Sequence, residues 1–473
     1  MNAEQKNRIE VLKTRMLEQP RYVSIEQALI ITKTYQEHET DSKQVKRAWS
    51  LYNALTQIEI GIEPEELIVG NRTKGVRYGV VFPESGISWV DREFETIPTR
   101  PQDKFLVHPE DIETFRKVIV PYWKGKSLED IVHQRIGDEI SEISKVVKIN
   151  QTDHAQGHIC PNVKEWLELG PAGVIAKAEK NLVGANASQQ EFYRCVILVM
   201  QGVQKFMQRY ADLLEEKADS YPKYTASMRE LAKICQNLQN RPAQSFHEAL
   251  QSTWFLFVVL HMESNASSFS PGRLDQILYP YYQKDLAEKK MDDDQALEMI
   301  ECLWLKFNEI VYLRNKNSAK YFAGFPIGFN VAVGGQDENG NDASNALSHL
   351  LIQAQEDIGL PQPNLSVRLF EHTDQALLTH AVKCVSKGSG MPQFFNDKAV
   401  IPAMIKDLDI EEKDARNYAI VGCVELTTQG DNLGWSDAAM FNLNKALELT
   451  LNNGKCLLTG QKLGLDMGSL ETY

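Results

Sequence analysis

The sequence predicts an α/β fold, a helical N-terminal region followed by a strand–helix portion. Two observations carry this. Residues 162 to 313 hold long segments with apolar side chains at three-to-four spacing, and beyond 320 short apolar runs alternate with helical segments. Alternation at that spacing makes parallel strands with crossover helices, expected here with some form of barrel closure. The chain reads as one unit over 1–473, mostly helical over 1–313 and strand–helix over 314–473. In such a fold the site forms at strand ends and in the loops after them.

Residues 1 to 60 read as helices. In Ser24-Ile25-Glu26-Gln27 the serine stands three residues before Gln27, the spacing of a capping box that opens a helix through ALIITKTYQEH. Residues 61 to 100 turn irregular, because Pro64, the turn at Gly70-Asn71, Pro83, Gly86 and Pro98 break any long element. Helices return over 109–149 around Tyr122-Trp123. The spacing then predicts helices over 162–169, 185–216, 225–238, 244–262 and 293–313. Strands are expected at 325–333, 365–370, 392–395 and 418–424, with helices over 342–356, 373–387 and 437–453. The pair Gly334-Gly335 lacks a phosphate-loop pattern and reads as a tight turn after a strand. The last ten residues, GLDMGSLETY, read as a loop opening onto a further helix, so a fragment is expected.

With 473 residues, 43% apolar and 24% charged, the composition is that of a globular protein. A net charge of -13 without a dense basic stripe argues against nucleic acid. No apolar run is long enough to span a membrane, and the charged N-terminus lacks the apolar core of a signal peptide, so the cytoplasm is expected. Seven cysteines without CxxC spacing read as free thiols rather than an iron–sulfur or structural zinc site. Cys195 and Cys302, inside apolar helical patterns, read as core residues.

The run from Ile420 to Glu425 places a thiol two residues from a carboxylate. In extended backbone Cys423 and Glu425 share a face and can address one cavity. The other reading is a core cysteine beside a solvated glutamate. The next stretch, LTTQGDNLGWSDAAMFNL, favours the cavity: a polar loop after an apolar strand, then a helix opening at Ser436 or Asp437. His154 and His158 are four apart, but a metal pair would need a helix persisting past Gly157 and further ligands. His158 binds a polar ligand or is a satisfied surface histidine. In the loop from Asn265 to Asp275, Arg273 and Asp275 read as a structural pair, and Ser268 is the better ligand candidate.

GCVE followed by GWSDAAMFNLNKALEL resembles the active-site cysteine segment of the glycyl radical enzymes, in the branch of glycerol, propanediol and hydroxyproline dehydratases and choline lyase. The resemblance spans the chain through SIEQALIITKTYQEHE, ELIVGN, GHICPNVKEWLELG, SSFSPGRLDQILYPYY, GFPIGFNVAVGGQD and QPNLSVRLFEHT. It implies a ten-stranded α/β barrel of two parallel five-stranded halves surrounded by helices, with cysteine and glycyl loops meeting inside. It implies no bound cofactor but a protein-based glycyl radical, installed by an activating enzyme that uses S-adenosylmethionine and an iron–sulfur cluster. The radical glycine lies in an RVxGY-type segment that this chain does not contain, so the resemblance implies a barrel incomplete at its C-terminus, and a homodimer at full length.

The resemblance also implies roles. Cys423 forms the thiyl, Glu425 takes the proton of the substrate hydroxyl, and His158, Ser268 and Asp437 hold hydroxyls. Pyruvate formate-lyase uses two adjacent cysteines and no following glutamate, whereas this chain has Gly422 and Glu425. Elimination is therefore expected over the alternatives, formate C-acetyltransferase chemistry or an inactive barrel. Two departures bear on substrate. Gly328 stands where the glycerol enzymes carry a larger residue, which is expected to open volume, and Phe329 is expected to pack against the substrate. Asn162 replaces a frequent aspartate.

Overall fold

The computed structural model describes residues 1–144, 147–149, 157–322, 327–431 and 439–466. Most of its long helices begin where a short polar side chain can satisfy the first free amides. Asn186 caps Ala187–Ala218 in a reciprocal box with Gln189, and Asp292 does the same for Asp293–Glu309 with Gln295. The helix expected over 162–169 starts at Val163 behind Asn162, which accepts the Glu165 amide at 3.0 Å. It resumes after a kink at Gly170-Pro171 and runs to Leu182. Phe246–Glu263 is apolar on almost every side and buried accordingly, as a helix enclosed by other elements must be. No described helix is long and apolar enough to cross a membrane.

Three local expectations are corrected. Ser24 does not cap a helix: it pairs in a two-residue strand with Val80, and Glu26–Glu37 begins behind Ile25 without a side-chain cap. The helix expected over 293–313 ends at Glu309, and Arg72 takes the carbonyl of Val311 beyond it. The opening expected at 436 or 437 lies outside the described residues, and the helix expected over 437–453 runs from Leu443. Ala439–Phe441 pairs antiparallel with Val147–Ile149, and the helix Leu443–Leu451 starts behind its cap, Asn442.

The barrel wall is built from β1 (Asn330–Gly334), β2 (Asn364–Leu369) and β3 (Gln393–Asn396), parallel and in that order. Ala346–Ile358 connects β1 to β2, and Gln375–Val385 connects β2 to β3. Two short extended stretches continue the wall: Gly272 bridges Val331, and Phe269 bridges Ile159, both parallel. Five parallel positions therefore stand side by side, the number the resemblance gives one half of the barrel. Two of them come from the helical first part of the chain, where stretches this short leave no readable period.

Alternation along the strands separates inside from outside. Val331, Val333, Leu365 and Val367 join the large apolar core under the helices. Asn330, Ala332, Ser366 and Arg368 face the other way, onto a hairpin formed by β4 (Tyr418–Val421) and β5 (Glu425–Thr428). That hairpin carries the cysteine.

Candidate active site

In the hairpin register Val421 stands opposite Glu425, which leaves Gly422, Cys423 and Val424 as the turn. Cys423 and Glu425 are therefore not neighbours on one face of an extended strand, as the sequence suggests. The turn brings them together instead. Gly422 adopts φ +58°, and a Cβ there would lie 2.8 Å from Ser268 Oγ, so any larger residue would strain the backbone and have to displace that hydroxyl. The stretch after Cys423, expected as a polar loop, returns as β5.

The barrel wall grips this turn at Gly422. The Gly422 amide donates to Ser270 Oγ at 3.1 Å, and the Gly422 carbonyl accepts from the side-chain amides of Asn330 and Asn364, each at 3.0 Å. Ser366 Oγ donates to Asn330 Oδ1 and fixes the orientation of that amide. At its far end the hairpin is braced by a fully buried pair: both oxygens of Asp397 accept from Arg368, at 3.0 and 2.9 Å. Tyr418 donates to Asp397 at 2.8 Å, and burial pushes its phenol up.

Glu425 holds the tip. One carboxylate oxygen accepts the amides of Cys423 and Val424, both at 3.1 Å, and the other lies 3.3 Å from His158 Nδ1. Burial works against ionisation of Glu425, but the bond to His158 and the backbone amides hold its carboxyl below the usual range. Partial burial and then the charge of Glu425 push the Cys423 thiol up, so it stays protonated. Cys423 is exposed, and the other six cysteines are buried. Cys160 packs against Ala419 and Val421 beneath the hairpin, and burial pushes its thiol up to about 12.

His158 and Ser268 face this tip in left-handed backbone, at φ +57° and +63°. For non-glycine residues that costs roughly 1–3 kcal/mol each, strain that tends to collect at functional sites. The parallel bridge between Ile159 and Phe269 holds them side by side, with the His158 amide on the Ser267 carbonyl at 2.9 Å. The structure thus brings Cys423, Glu425, His158 and Ser268 together. Asp437 and His154 lie outside the described residues. Among the described residues no group of three or more histidine, cysteine or acidic side chains could hold a metal ion.

Phe329 does not line this site, which corrects the expectation. It is fully buried among Trp254, Phe257, His261 and Phe307, because alternation from the inward Asn330 turns it outward. Gly328 does not open volume either, since a Cβ there would meet Ser268 Oγ at 2.7 Å with φ at +89°. Arg273 and Asp275 are scaffolding, but through shared backbone. Arg273 takes the Gly334 carbonyl at 3.0 Å and Asp275 the Gly334 amide at 2.8 Å. Sequence reasoning missed Asn330 and Asn364. Their signal was a polar residue at the head of two apolar strand runs.

A family model described as pyruvate formate lyase-like matches residues 2–473. The chain is 31% identical to (2S)-3-sulfopropanediol dehydratase of Klebsiella oxytoca, over 98% of this chain and 58% of that protein. It is similar in structure to the glycerol-bound B12-independent glycerol dehydratase of Clostridium butyricum, with a TM-score of 0.94 and 34% identity over 99% of this chain and 60% of that one. The Roseburia inulinivorans protein described for 1,2-propanediol dehydration gives a TM-score of 0.94 and 33% identity, over the same shares. The chain thus spans less than two thirds of the length of these relatives. With a single-thiol hairpin inside an α/β barrel, it belongs to the pyruvate formate lyase-like family, in the dehydratase-like branch of the glycyl radical enzymes.

Proposed function

We propose that this chain supplies the cysteine and base of a glycyl radical carbon–oxygen lyase, which eliminates water or another leaving group from a small hydroxylated substrate. The candidates are a diol, an amino alcohol or a hydroxyproline-like ring. One observation carries the reading: a single carboxylate, Glu425, holds the amides of Cys423 and Val424 with one oxygen and faces His158 with the other. It supports a thiol and a base held in fixed relation at one substrate position.

In this reading the Cys423 thiyl takes the hydrogen atom from the carbon bearing the hydroxyl and becomes a thiol. Glu425 takes the hydroxyl proton, and the resulting ketyl radical expels the neighbouring group. The thiol then returns its hydrogen atom to the product radical, which restores the thiyl. A thiol kept protonated suits this hydrogen relay better than attack as a thiolate. His158 and Ser268 offer polar contacts to hydroxyls, and Asp437 would anchor one from the far side by family resemblance. The glycyl radical, expected in a segment with no counterpart among these residues, supplies the initial hydrogen acceptor for the thiol. Its installer would be a radical S-adenosylmethionine activating enzyme, and the assembly a cytoplasmic homodimer.

Acyl transfer to coenzyme A would need a second thiol at position 422. A side chain there would strain the left-handed backbone and press on Ser268 Oγ. The test is anaerobic activation of a form carrying the family's radical glycine segment, then assay with glycerol, 1,2-propanediol and hydroxyproline. A carbonyl or dehydrated product without coenzyme A is expected. Formate from pyruvate, dependent on coenzyme A and unchanged in Glu425→Gln, would overturn the reading.

A further inference from the structure

The chain carries a net charge of -13, yet three guanidinium groups line one cleft of about 180 Å³ at the end of helix Ala3–Glu18. They belong to Arg21, Arg77 and Arg314, and Asp103 is the only carboxylate among the described residues of the wall. Asp103 is already shared. Its Oδ1 takes Arg21 at 2.8 Å, and its other oxygen lies 3.4 Å from Arg100. Arg77 spends one nitrogen on the last-turn carbonyls of Met16 and Leu17, both at 3.3 Å. Capping a helix end accounts for one nitrogen of Arg77, and the ion pair with Asp103 for one nitrogen of Arg21. The Arg21 Nε–H is buried and has no hydrogen-bond partner among the described residues. Arg314 lies 4.8 Å from the ring centre of Tyr312, which holds it against the cleft wall.

We infer that this cleft binds a small oxyanion of the phosphate class, clamped by Arg21, Arg77 and Arg314. Guanidinium forks match the oxygen spacing of phosphate and present several donors at once. The cleft falls below the roughly 300–1,000 Å³ typical of organic-ligand pockets, so it suits an oxyanion or a short phosphomonoester and is too small for a nucleotide. Pro361 and Leu17 on the wall tolerate the carbon stub of such an ester. Association between the excess positive charge and a dianion also relieves repulsion between Arg21 and Arg77, which lowers the pKa of Arg77 after burial has done so.

The test is titration of the 473-residue protein by calorimetry with inorganic phosphate and, separately, methyl phosphate, at constant ionic strength set with chloride. Saturable one-site binding is expected for both. Tighter binding of methyl phosphate would assign the site to a phosphorylated metabolite, and equal or tighter binding of phosphate to the free ion. Arg77→Gln and Arg314→Gln should each weaken affinity about tenfold or more, the scale of a charged hydrogen bond. Asp103→Asn should strengthen it by freeing Arg21. No saturable binding above the chloride background would overturn the proposal, as would unchanged affinity in Arg21→Gln/Arg77→Gln/Arg314→Gln. Should the arginine variants fail to fold, Asp103→Asn decides: affinity equal to or below wild type refutes the site.

Discussion

Glu425→Gln separates the two tasks that one carboxylate performs. The carboxylate offers one oxygen to the amides of Cys423 and Val424 and the other to His158. Glutamine keeps one acceptor oxygen for the amides and turns an N–H donor toward His158 where the carboxylate offered an acceptor. Two charge-assisted bonds become neutral ones, a loss of about 1–3 kcal/mol of stability. The catalytic loss should be larger, about 10²-fold or more, because an amide cannot take the hydroxyl proton. The pH dependence follows from the depressed folded pKa. Glu425 contributes stability that is fully present above its unfolded value, about 4.3, and is lost as pH falls through its lower folded value. The melting-temperature gap between wild type and Glu425→Gln should therefore be constant from pH 7 to 5 and close below about pH 4. A rate within tenfold of wild type, with the glycyl radical signal intact, would remove Glu425 from the proton-transfer role.

Three further perturbations test the supports. Asn330→Ala with Asn364→Ala strips both donors from the Gly422 carbonyl, and should lower kcat more than it changes KM while costing about 1–3 kcal/mol in denaturant unfolding. Gly422→Ala should destabilise by about 1–3 kcal/mol through its left-handed backbone and the contact with Ser268. Adding Ser268→Gly should recover part of that loss in melting temperature. Asp397→Asn leaves the buried Arg368 charge without its counter-ion, and should cost about 3–5 kcal/mol in chemical denaturation.

Much of the fold was legible because long helices advertise their period. Ala187–Ala218 and Phe246–Glu263 lie within two residues of their expected bounds. Strands with one apolar face, such as β2, were equally plain. The helix Asp397–Leu408 was missed, since Pro402 lies within it and reads as a break. The hairpin was harder for a physical reason. β5 returns inside a barrel, where the polar side chains of Glu425 and Thr427 face protein rather than solvent, so it reads as a loop. Phe329 was assigned to the wrong side because the strand phase was left uncounted. With Asn330 and Ser366 inward, the adjacent Phe329 has to point outward. Cys195 and Cys302 were recognisable as core residues from their apolar helical neighbours, and the same contrast marked Cys423 as different.

The central claim is that Cys423 relays hydrogen between the protein radical and substrate. Its most direct test is Cys423→Ser in an activated form carrying the glycine segment, with the radical followed by electron paramagnetic resonance and the product by mass spectrometry. The glycyl radical should form at wild-type yield while turnover is abolished, because a serine O–H bond is too strong to pass the hydrogen atom. Product formation by Cys423→Ser within about tenfold of the wild-type rate would contradict the account.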